Sequence, residues 1–527
     1  MLTPEFLDIT AAICPERTAV IFEGRRLSYE QVQQRVKRLA SAFSALGVNK
    51  GDTVSLIQVN TPHCIEAYFA AALLGAVYVP LNFRAKPSEL EYMVNTADAK
   101  VLLAGDRYVP VVDELRGRLP SVEHYVQLDG RSGSDSGWRD YEALVAGSDP
   151  DPPFVDVPEE AVTLLMYTAG TTGFPKGVML PHTSFTSYVL NNVSPVDPDL
   201  EERNLLTVPL YHIAGVQAVM AAMFAGRTLV MQRQFEAREW MGLAQEERVQ
   251  RAMMVPTMLK QIIDHPDFQK YDLSSLKVIT YGAAPMPVEV ISRALQAFPA
   301  CQFINAFGQT ETAATITALN PEDHHVPADL PEQERQRRLR RLASVGRALP
   351  DVEVRVVDEY GNEVARGVAG EVVARGDRVM AGYWKDEERT KQTKRGGWIY
   401  TGDLGYMDEE GYLFLSGRAS DVIIRGGENI SPEEVEGVLT GHPAVEECAV
   451  FGVPHDTWGE TVAAAVVIKA GHRAEAEELQ EWCRERLASF KKPEAIAFRD
   501  ELPRNPLGKL LRRELREAYG SKNPAPP

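Results

Sequence analysis

Along the first 320 residues the apolar positions alternate between two periods. Over residues 28–47, Val32, Val36, Leu39, Phe43 and Leu46 recur at four- and three-residue steps, which places them on one face of a helix. Ser28 with Gln31 three residues on offers a capping box at its start, and Gly47 offers a stop. Mostly apolar runs at 53–57, 76–79 and 100–104 predict strands. A helix over about 64–74, and another opened by Pro87-Ser88-Glu89-Leu90, separate them. A further run at 161–167 leads into a glycine- and threonine-rich loop. Beyond that loop the runs return at 205–209, 228–231, 252–255, 278–281 and 302–306. Four of these end in turns that carry chemistry: Pro209-Leu210-Tyr211-His212-Ile213-Ala214-Gly215, Pro256-Thr257, Gly282-Ala283-Ala284-Pro285 and Phe307-Gly308-Gln309-Thr310-Glu311-Thr312. Strands alternating with helices imply parallel βαβ units, whose ligands gather beyond the carboxyl ends of the strands.

Between and after these runs the pattern weakens. Residues 129–153, rich in Gly, Ser, Asp and Pro, read as a surface connection, and 321–344, with basic residues from Arg335 to Arg341, as a solvated loop or helix face. From Asp351 short β segments replace the alternation, with Asp358-Glu359-Tyr360-Gly361-Asn362 as a hairpin signal. They run antiparallel to about Leu415. An α+β module follows, in which Ser431-Pro432-Glu433-Glu434 predicts a capping box, and Leu479, Trp482, Cys483, Arg486 and Leu487 a second amphipathic helix. The tail 521–527 is expected to be disordered.

Composition narrows the class of partner. The chain has 527 residues, too many for one core. A net charge of −18 argues against nucleic acid and anionic membrane, though a local cradle can still bind a small anion. Five scattered cysteines with no Cys-x-x-Cys pair fit a reducing cytoplasm without structural zinc. The N-terminus has no signal-peptide pattern, and the most apolar window, 65–81, is broken by Glu66, Gly75 and Pro80, so no transmembrane segment is expected.

The stretch Tyr167-Thr168-Ala169-Gly170-Thr171-Thr172-Gly173-Phe174-Pro175-Lys176-Gly177 packs three glycines, three threonines and a lysine into one loop. Glycines expose backbone N–H groups, successive N–H groups form an anion-binding concavity, and the hydroxyls and lysine add donors and charge. The reading is a phosphate cradle. It is not the common nucleotide loop, because Pro175 stands where that spacing needs glycine.

This string, with others downstream, resembles the signatures of the adenylate-forming (AMP-binding) superfamily of acyl- and aryl-CoA synthetases, luciferases and peptide-synthetase adenylation domains. Six strings match in order across roughly residues 10–515. The resemblance implies an α/β fold. Its large N-terminal domain (1–417) has doubly wound, mostly parallel sheets and a distorted β-barrel subdomain. A hinge lies at 418–420, and a small mobile α+β C-terminal domain spans 421–527. It implies that Thr168, Ala169, Gly170, Thr171, Thr172, Gly173 and Lys176 bind ATP phosphates, with Gly282, Ala283, Ala284, Pro285, Asn305, Ala306, Phe307, Gly308, Gln309 and Thr310 around the nucleotide. Phe307 stands where Tyr is more common and keeps only the stacking face. Glu311, with Thr168, is assigned to Mg²⁺, which a single carboxylate plus phosphates suits. Asp403, in Tyr400-Thr401-Gly402-Asp403, is the ribose acceptor, with Arg418 beside it. Lys509, in Pro503-Arg504-Asn505-Pro506-Leu507-Gly508-Lys509, reaches substrate carboxylate and α-phosphate. Arg425, Gly426, Gly427 and Glu428 face CoA; a plain tight turn is the competing reading there. His212 meets the carboxylate or gates the thiol. Ser420 departs from the Asp or Lys usual at the hinge.

The implied activity is an ATP-dependent acid–CoA ligase, with Lys509, Glu311, His212 and Thr310 catalytic. The residues assigned to the acyl pocket, His212, Ala214, Gly215, Val216, Ala283, Thr312 and Ala313, offer no fixed charge to the tail beyond the histidine. That favours a medium- or long-chain fatty acid, hence lipid metabolism, with an aryl acid second. An acyl acceptor other than CoA, and a nucleotide-binding regulator without catalysis, are the competing functions. A homodimer is admissible.

Overall fold

The runs at 53–57, 76–79 and 100–104 fall in interior strands. Thr53–Ile57 lies between Val77–Leu81 and Ala99–Ala104, parallel to both, and every residue of the first two is buried. With both faces covered there is no polar side to alternate with. Helix Tyr29–Ala45 forms as its period predicts. Ser28 Oγ accepts from Gln31 N and the Gln31 side chain accepts from Ser28 N, completing the capping box, and Gly47 ends the turn at φ +80°.

The computed structural model describes all residues except 131–136, 169–174, 327–329, 419–420, 426–427, 456, 505–509 and 523–527. By contact the chain divides into two units: Met1–Val354 with Ala374–Ile399, and Arg355–Val373 with Tyr400–Pro527.

The first unit holds two large sheets among the described residues. One runs, in spatial order, Gly382–Tyr383, Lys176–Pro181, Val162–Thr168, Val77–Leu81, Thr53–Ile57, Ala99–Ala104, His124–Gln127, Arg139–Asp140. The other runs Arg347–Ala348, Ala314–Leu319, Gln302–Gln309, Val278–Gly282, Arg251–Met254, Arg203–Leu206, Thr228–Met231, Thr18–Phe22, Arg25–Ser28. Both are parallel at the centre and gain antiparallel strands toward their edges. One apolar core, with Phe43, Phe69, Tyr78, Leu164, Met220 and Leu229 among its members, joins them.

The stretch 129–153 is not a bare connection. Trp138 is buried, Arg139–Asp140 pairs with His124–Gln127, and helix Tyr141–Gly147 puts Tyr141 into the core. The Tyr141 hydroxyl donates to Glu66 Oε2 at 2.6 Å. The small polar residues masked a seven-residue helix anchored by Tyr141, with Trp138 buried just before it. Helix Glu332–Arg341 buries no residue, as its charge pattern predicts.

In the second unit residues 403–407 pair antiparallel with 413–418, Asp403 opposite Arg418. The α+β module centres on the hairpin Val445–His455 and Gly459–Ile468, with Ile423–Arg425, Glu428–Ile430 and Ala495–Phe498 added. Helices Pro432–Thr440 and Ala476–Arg484 close a core that includes Val435, Leu439, Val450, Val462 and Leu479. The capping box expected at Ser431 does not form. Its hydroxyl donates to the Ser416 carbonyl at 2.6 Å, so the side chain ties the helix start to the preceding strand. Helix Arg512–Lys522 extends through Ser521, into the expected tail. No helix among the described residues is long and apolar enough to cross a membrane, and the five cysteines form no disulfide.

Glu66 is 1% exposed and is held by Arg35 Nε at 2.7 Å and by Tyr141, whereas Glu142, the other partner of Arg35, is 49% exposed. Arg35→Ala should therefore destabilise the first unit by about 3–5 kcal/mol, because it strands a buried carboxylate. Glu142→Ala should cost less than about 1 kcal/mol. Urea midpoints for the two variants check the contrast.

Candidate active site

Val162–Thr168 and Lys176–Pro181 pair antiparallel, with Thr168 opposite Lys176. The described ends of the glycine-threonine string, Thr168 and Lys176, are thus cross-strand partners. Ala169, Gly170, Thr171, Thr172 and Gly173 lie outside the described residues. The two partners are chemically distinct. Thr168 Oγ1 is buried and has no hydrogen-bond partner among the described residues. Lys176 Nζ lies 2.7 Å from Glu311 Oε1 and donates to the Tyr383 hydroxyl at 2.7 Å. Tyr383 donates to the same Glu311 oxygen at 2.8 Å. Burial works against ionisation of Glu311, but the Lys176 charge and the two hydrogen bonds outweigh it and hold the carboxyl below its ordinary value. Burial and the Glu311 carboxylate hold the Tyr383 phenol well above its own. Tyr383 was not a candidate from sequence. It sits on the two-residue strand Gly382–Tyr383, registered against Val178 and Met179, and only that pairing aims it at Glu311.

Glu311 stands in the 3₁₀ turn Thr310–Thr312 at the end of strand Gln302–Gln309. The backbone there is crowded and strained. A Cβ on Gly308 would sit 1.6 Å from the Ala314 carbonyl oxygen, and one on Gly282 2.1 Å from that of Ala306, so neither position admits a side chain. Ala283, Ala313 and Ala314 adopt φ of +66°, +48° and +75°, a region that costs alanine about 1 kcal/mol or more. Strain of this kind persists where surroundings over-determine it, which is common at binding turns. The Thr312 hydroxyl is committed to the turn, donating toward the Gln309 and Ala314 carbonyls at 3.0 and 3.1 Å. Thr310 is half-buried. Phe307 is half-buried against Ile316, Val352 and Ala374, and Asn305 donates to the Ser344 carbonyl at 3.3 Å. Ala306 and Gln309 complete the strand end, and Ala284 and Pro285 follow Ala283 at the surface.

His212 is the N-cap residue of helix Ile213–Phe224, whose first turn buries Ala214, Gly215 and Val216. Its Nε2 is buried without a partner among the described residues, and its ring lies 4.3 Å from that of Tyr211. Burial pushes its pKa down to about 3. The imidazole is neutral near pH 7 and offers a substrate carboxylate no charge.

In the second unit Arg418 Nε reaches Asp403 Oδ1 at 2.9 Å, and Asp403 is 6% exposed. Thr401 Oγ1 donates to the Val372 carbonyl and accepts from Asp403 N, fixing the aspartate backbone. Arg425 donates to the Phe490 carbonyl at 2.9 Å and pairs with Glu494, while Glu428 is exposed. Gly426, Gly427, Ser420 and Lys509 lie outside the described residues.

No group of three or more His, Cys, Asp or Glu side chains that could hold a metal ion occurs among the described residues. One buried carboxylate, Glu311, and one orphan hydroxyl, Thr168, suit instead a hard cation that brings most of its oxygen ligands with it.

Residues 7–384 match the family model described as AMP-binding enzyme, and residues 434–509 that of AMP-binding enzyme C-terminal domain. The chain is 36% identical over 512 residues, 97% of each chain, to a feruloyl-CoA synthase of Amycolatopsis sp. It is 34% identical to an indoleacetate–CoA ligase of Aromatoleum aromaticum, covering 98% of each. The solved structure of a Mycobacterium tuberculosis fatty acyl CoA synthetase superposes with a TM-score of 0.79 at 32% identity, covering 99% of each chain.

The buried histidines make stability depend on pH. The fold holds His212 and His182 neutral, with pKa values of about 3 and about 4 against an ordinary 6.5, so the unfolded chain binds more protons between those values. Their contribution is complete above pH 6.5 and is lost as pH falls toward 4, at up to about 1.4 kcal/mol per pH unit for each. Thermal midpoints measured from pH 7 down to 4.5 should fall, and His212→Asn should flatten the slope by about half.

Proposed function

The chain belongs to the AMP-binding enzyme family and is an AMP-forming acid–thiol ligase, and from that premise we propose that it joins an apolar-tailed carboxylic acid to CoA in two steps on residues of the predicted site. The observation that carries the proposal is the convergence of Lys176, Glu311, Tyr383 and the orphan Thr168 hydroxyl at the root of the threonine-rich hairpin. A cation, a buried anion and an unpaired hydroxyl so placed are suited to a polyphosphate carrying its own counter-ion.

In the first step the acid's carboxylate oxygen attacks the α-phosphorus of ATP, the α–β phosphoanhydride bond breaks, and pyrophosphate leaves. Thr168 to Gly173 and Lys176 take the phosphates, Thr310 the α-phosphate, Phe307 and the 282–285 turn the base, and Asp403 with Arg418 the ribose. Glu311 and Thr168 are the residues that would hold Mg²⁺, which supplies charge neutralisation on the departing pyrophosphate. Lys509 stabilises charge that builds on the α-phosphate oxygens. In the second step the CoA thiol attacks the acyl carbonyl and AMP leaves. Here residues 425–428 border the pantetheine arm, and neutral His212 stands at the carbonyl rather than pairing with the carboxylate. We place the domain boundary at 418–420, so that 421–527 supplies Lys509 to the first step and Arg425 to Glu428 to the second. The cysteines, all reduced, suit work in the cytoplasm.

For the acid, we rank an aromatic tail ahead of a fatty chain. The small buried residues Ala214, Gly215, Val216, Ala313 and Ala314 support an apolar tail in either case. The relatives named for feruloyl and indoleacetate substrates tip the order away from the fatty acid favoured by sequence alone.

Pyrophosphate release with ATP, Mg²⁺ and a panel of straight-chain, branched and aromatic acids, with and without CoA, tests the reading. Turnover that requires CoA supports it; release indifferent to CoA points to another acceptor. Lys509→Ala should slow adenylation by about 10²–10³-fold, the scale of one lost transition-state donor, while sparing thioester formation from supplied acyl-adenylate. Equal loss in both half-reactions overturns the assigned role.

A further inference from the structure

The first unit buries an arginine completely. The Arg378 and Asp351 side chains, 0% and 3% exposed, form an ion pair in which Nε donates to Asp351 Oδ2 at 2.8 Å and Nη2 lies 2.5 Å from the same oxygen. The Asp351 carboxylate also accepts from Ser187 Oγ at 3.2 Å and from Asn192 Nδ2 at 2.9 Å. Both donors belong to the helix His182–Asn192, which directly follows the strand that Lys176 begins. Tyr188 of the same helix sets its ring 4.9 Å from the Arg378 guanidinium. The backbones are close as well: a Cβ on Gly376 would stand 2.7 Å from the Asp351 carbonyl oxygen. The helix and the 376–378 segment therefore meet at one carboxylate.

Stability does not explain such a pair. Two ions taken out of water recover little net free energy, and well-packed apolar residues of similar volume often do as well or better. Arg378 is also incompletely served, since its Nη1 is buried with no hydrogen-bond partner among the described residues. What the pair does supply is a fixed position, because a charge stranded by slippage costs far more than a slipped leucine. The chain that follows uses that position. Two residues after Arg378, the Met380 amide donates to the Glu311 carbonyl at 2.9 Å, and five after it the Tyr383 hydroxyl donates to the Glu311 carboxylate at 2.8 Å. Pairing with Met179 and Val178 holds the far end of this segment, at Gly382 and Tyr383. Asp351 holds the near end.

We propose that Asp351 and Arg378 are a positioning pair for Glu311: they fix the near end of the 378–383 segment, and through it the turn whose carboxylate would hold Mg²⁺ on ATP. This rests on the reading above that Glu311 takes that metal. The two residues act through Glu311 and not on the substrate, as partners behind a metal ligand do.

The variant that tests this is Arg378→Met/Asp351→Asn. It removes both charges together and leaves an amide to bond Ser187 and Asn192, so only the link to the 378–383 segment is cut. Urea midpoints report folding. Electron paramagnetic resonance of free Mn²⁺, used in place of Mg²⁺, reports metal binding to the enzyme with ATP and without turnover. The double variant should keep the wild-type urea midpoint or exceed it. It should bind Mn²⁺ about 10-fold or more weakly, slow adenylation by a similar factor, and leave thioester formation from supplied acyl-adenylate unchanged. Arg378→Lys keeps the charge but not the rigid fork, and should show a smaller loss of Mn²⁺ affinity in the same direction. It decides the matter alone if the double variant fails to fold. Wild-type Mn²⁺ affinity in the folded double variant or in Arg378→Lys overturns the inference, as does equal loss in both half-reactions. Mn²⁺ binding that Glu311→Gln leaves unchanged overturns instead the assignment of Glu311 to the metal beneath it.

Discussion

The buried ion pair between Lys176 and Glu311 is the constraint on which the first unit's chemistry depends. A carboxylate that is 5% exposed is expensive without a counter-charge, and Lys176 supplies it at 2.7 Å. The pair joins residues far apart in sequence. Lys176 begins a strand of one large sheet, Glu311 follows a strand of the other, and Tyr383 is placed by its pairing beside Val178. The Met380 amide donates to the Glu311 carbonyl at 2.9 Å, so the same short segment fixes both backbone and side chain of the turn. Neutrality inside the pair thus sets where the hairpin root, the 310–312 turn and the 382–383 strand lie with respect to one another. It also leaves Thr168, across from Lys176, as the hydroxyl with nothing to do in the protein alone.

The strand ends around that pair share a second property: their backbones are committed before any ligand arrives. Two glycines whose missing side chains make room for carbonyls, and three alanines in the left-handed region, hold the 282–285 and 308–314 turns in shapes that unconstrained sequence would avoid. The Thr312 hydroxyl bonds within its own turn rather than reaching outward. Rigid turns of this kind reduce the ordering cost of binding, which is how binding energy is kept for the transition state.

Much of this was legible in the residues. The doubly wound alternation, the capping box at Ser28 and the strand-end turns follow from periodicity and short-range rules, and the structure returns them within a few residues. What escaped has a common cause: it depends on which surface a residue meets, not on its neighbours in sequence. Tyr383 acquires its role only through a two-residue strand pairing with Val178 and Met179. Tyr141 finds Glu66 across the fold from within a stretch whose composition reads as loop. Ser431 has the right spacing for a capping box, but the Ser416 carbonyl competes for its hydroxyl and wins. The Thr315 hydroxyl donates to Gln217 Oε1 across 98 positions, which no local pattern announces.

Two histidine readings were open from sequence, and electrostatics separates them. A residue that draws in a carboxylate by charge must be protonated at working pH. His212 is pushed down to about 3 by burial, and its place ahead of the first turn of a helix sets the positive end of the dipole beside it, which disfavours a second positive charge. Lys176 is already neutralised by Glu311 at rest. Under the proposed reading, attraction of the acid's carboxylate is left to Lys509, as the resemblance implies. A neutral imidazole, by contrast, can stand beside an acyl carbonyl without trapping the carboxylate that precedes it or the AMP that follows. That asymmetry is what an enzyme needs if one site is to bind an anionic acid, hold a neutral mixed anhydride at its acyl end, and then admit a thiol.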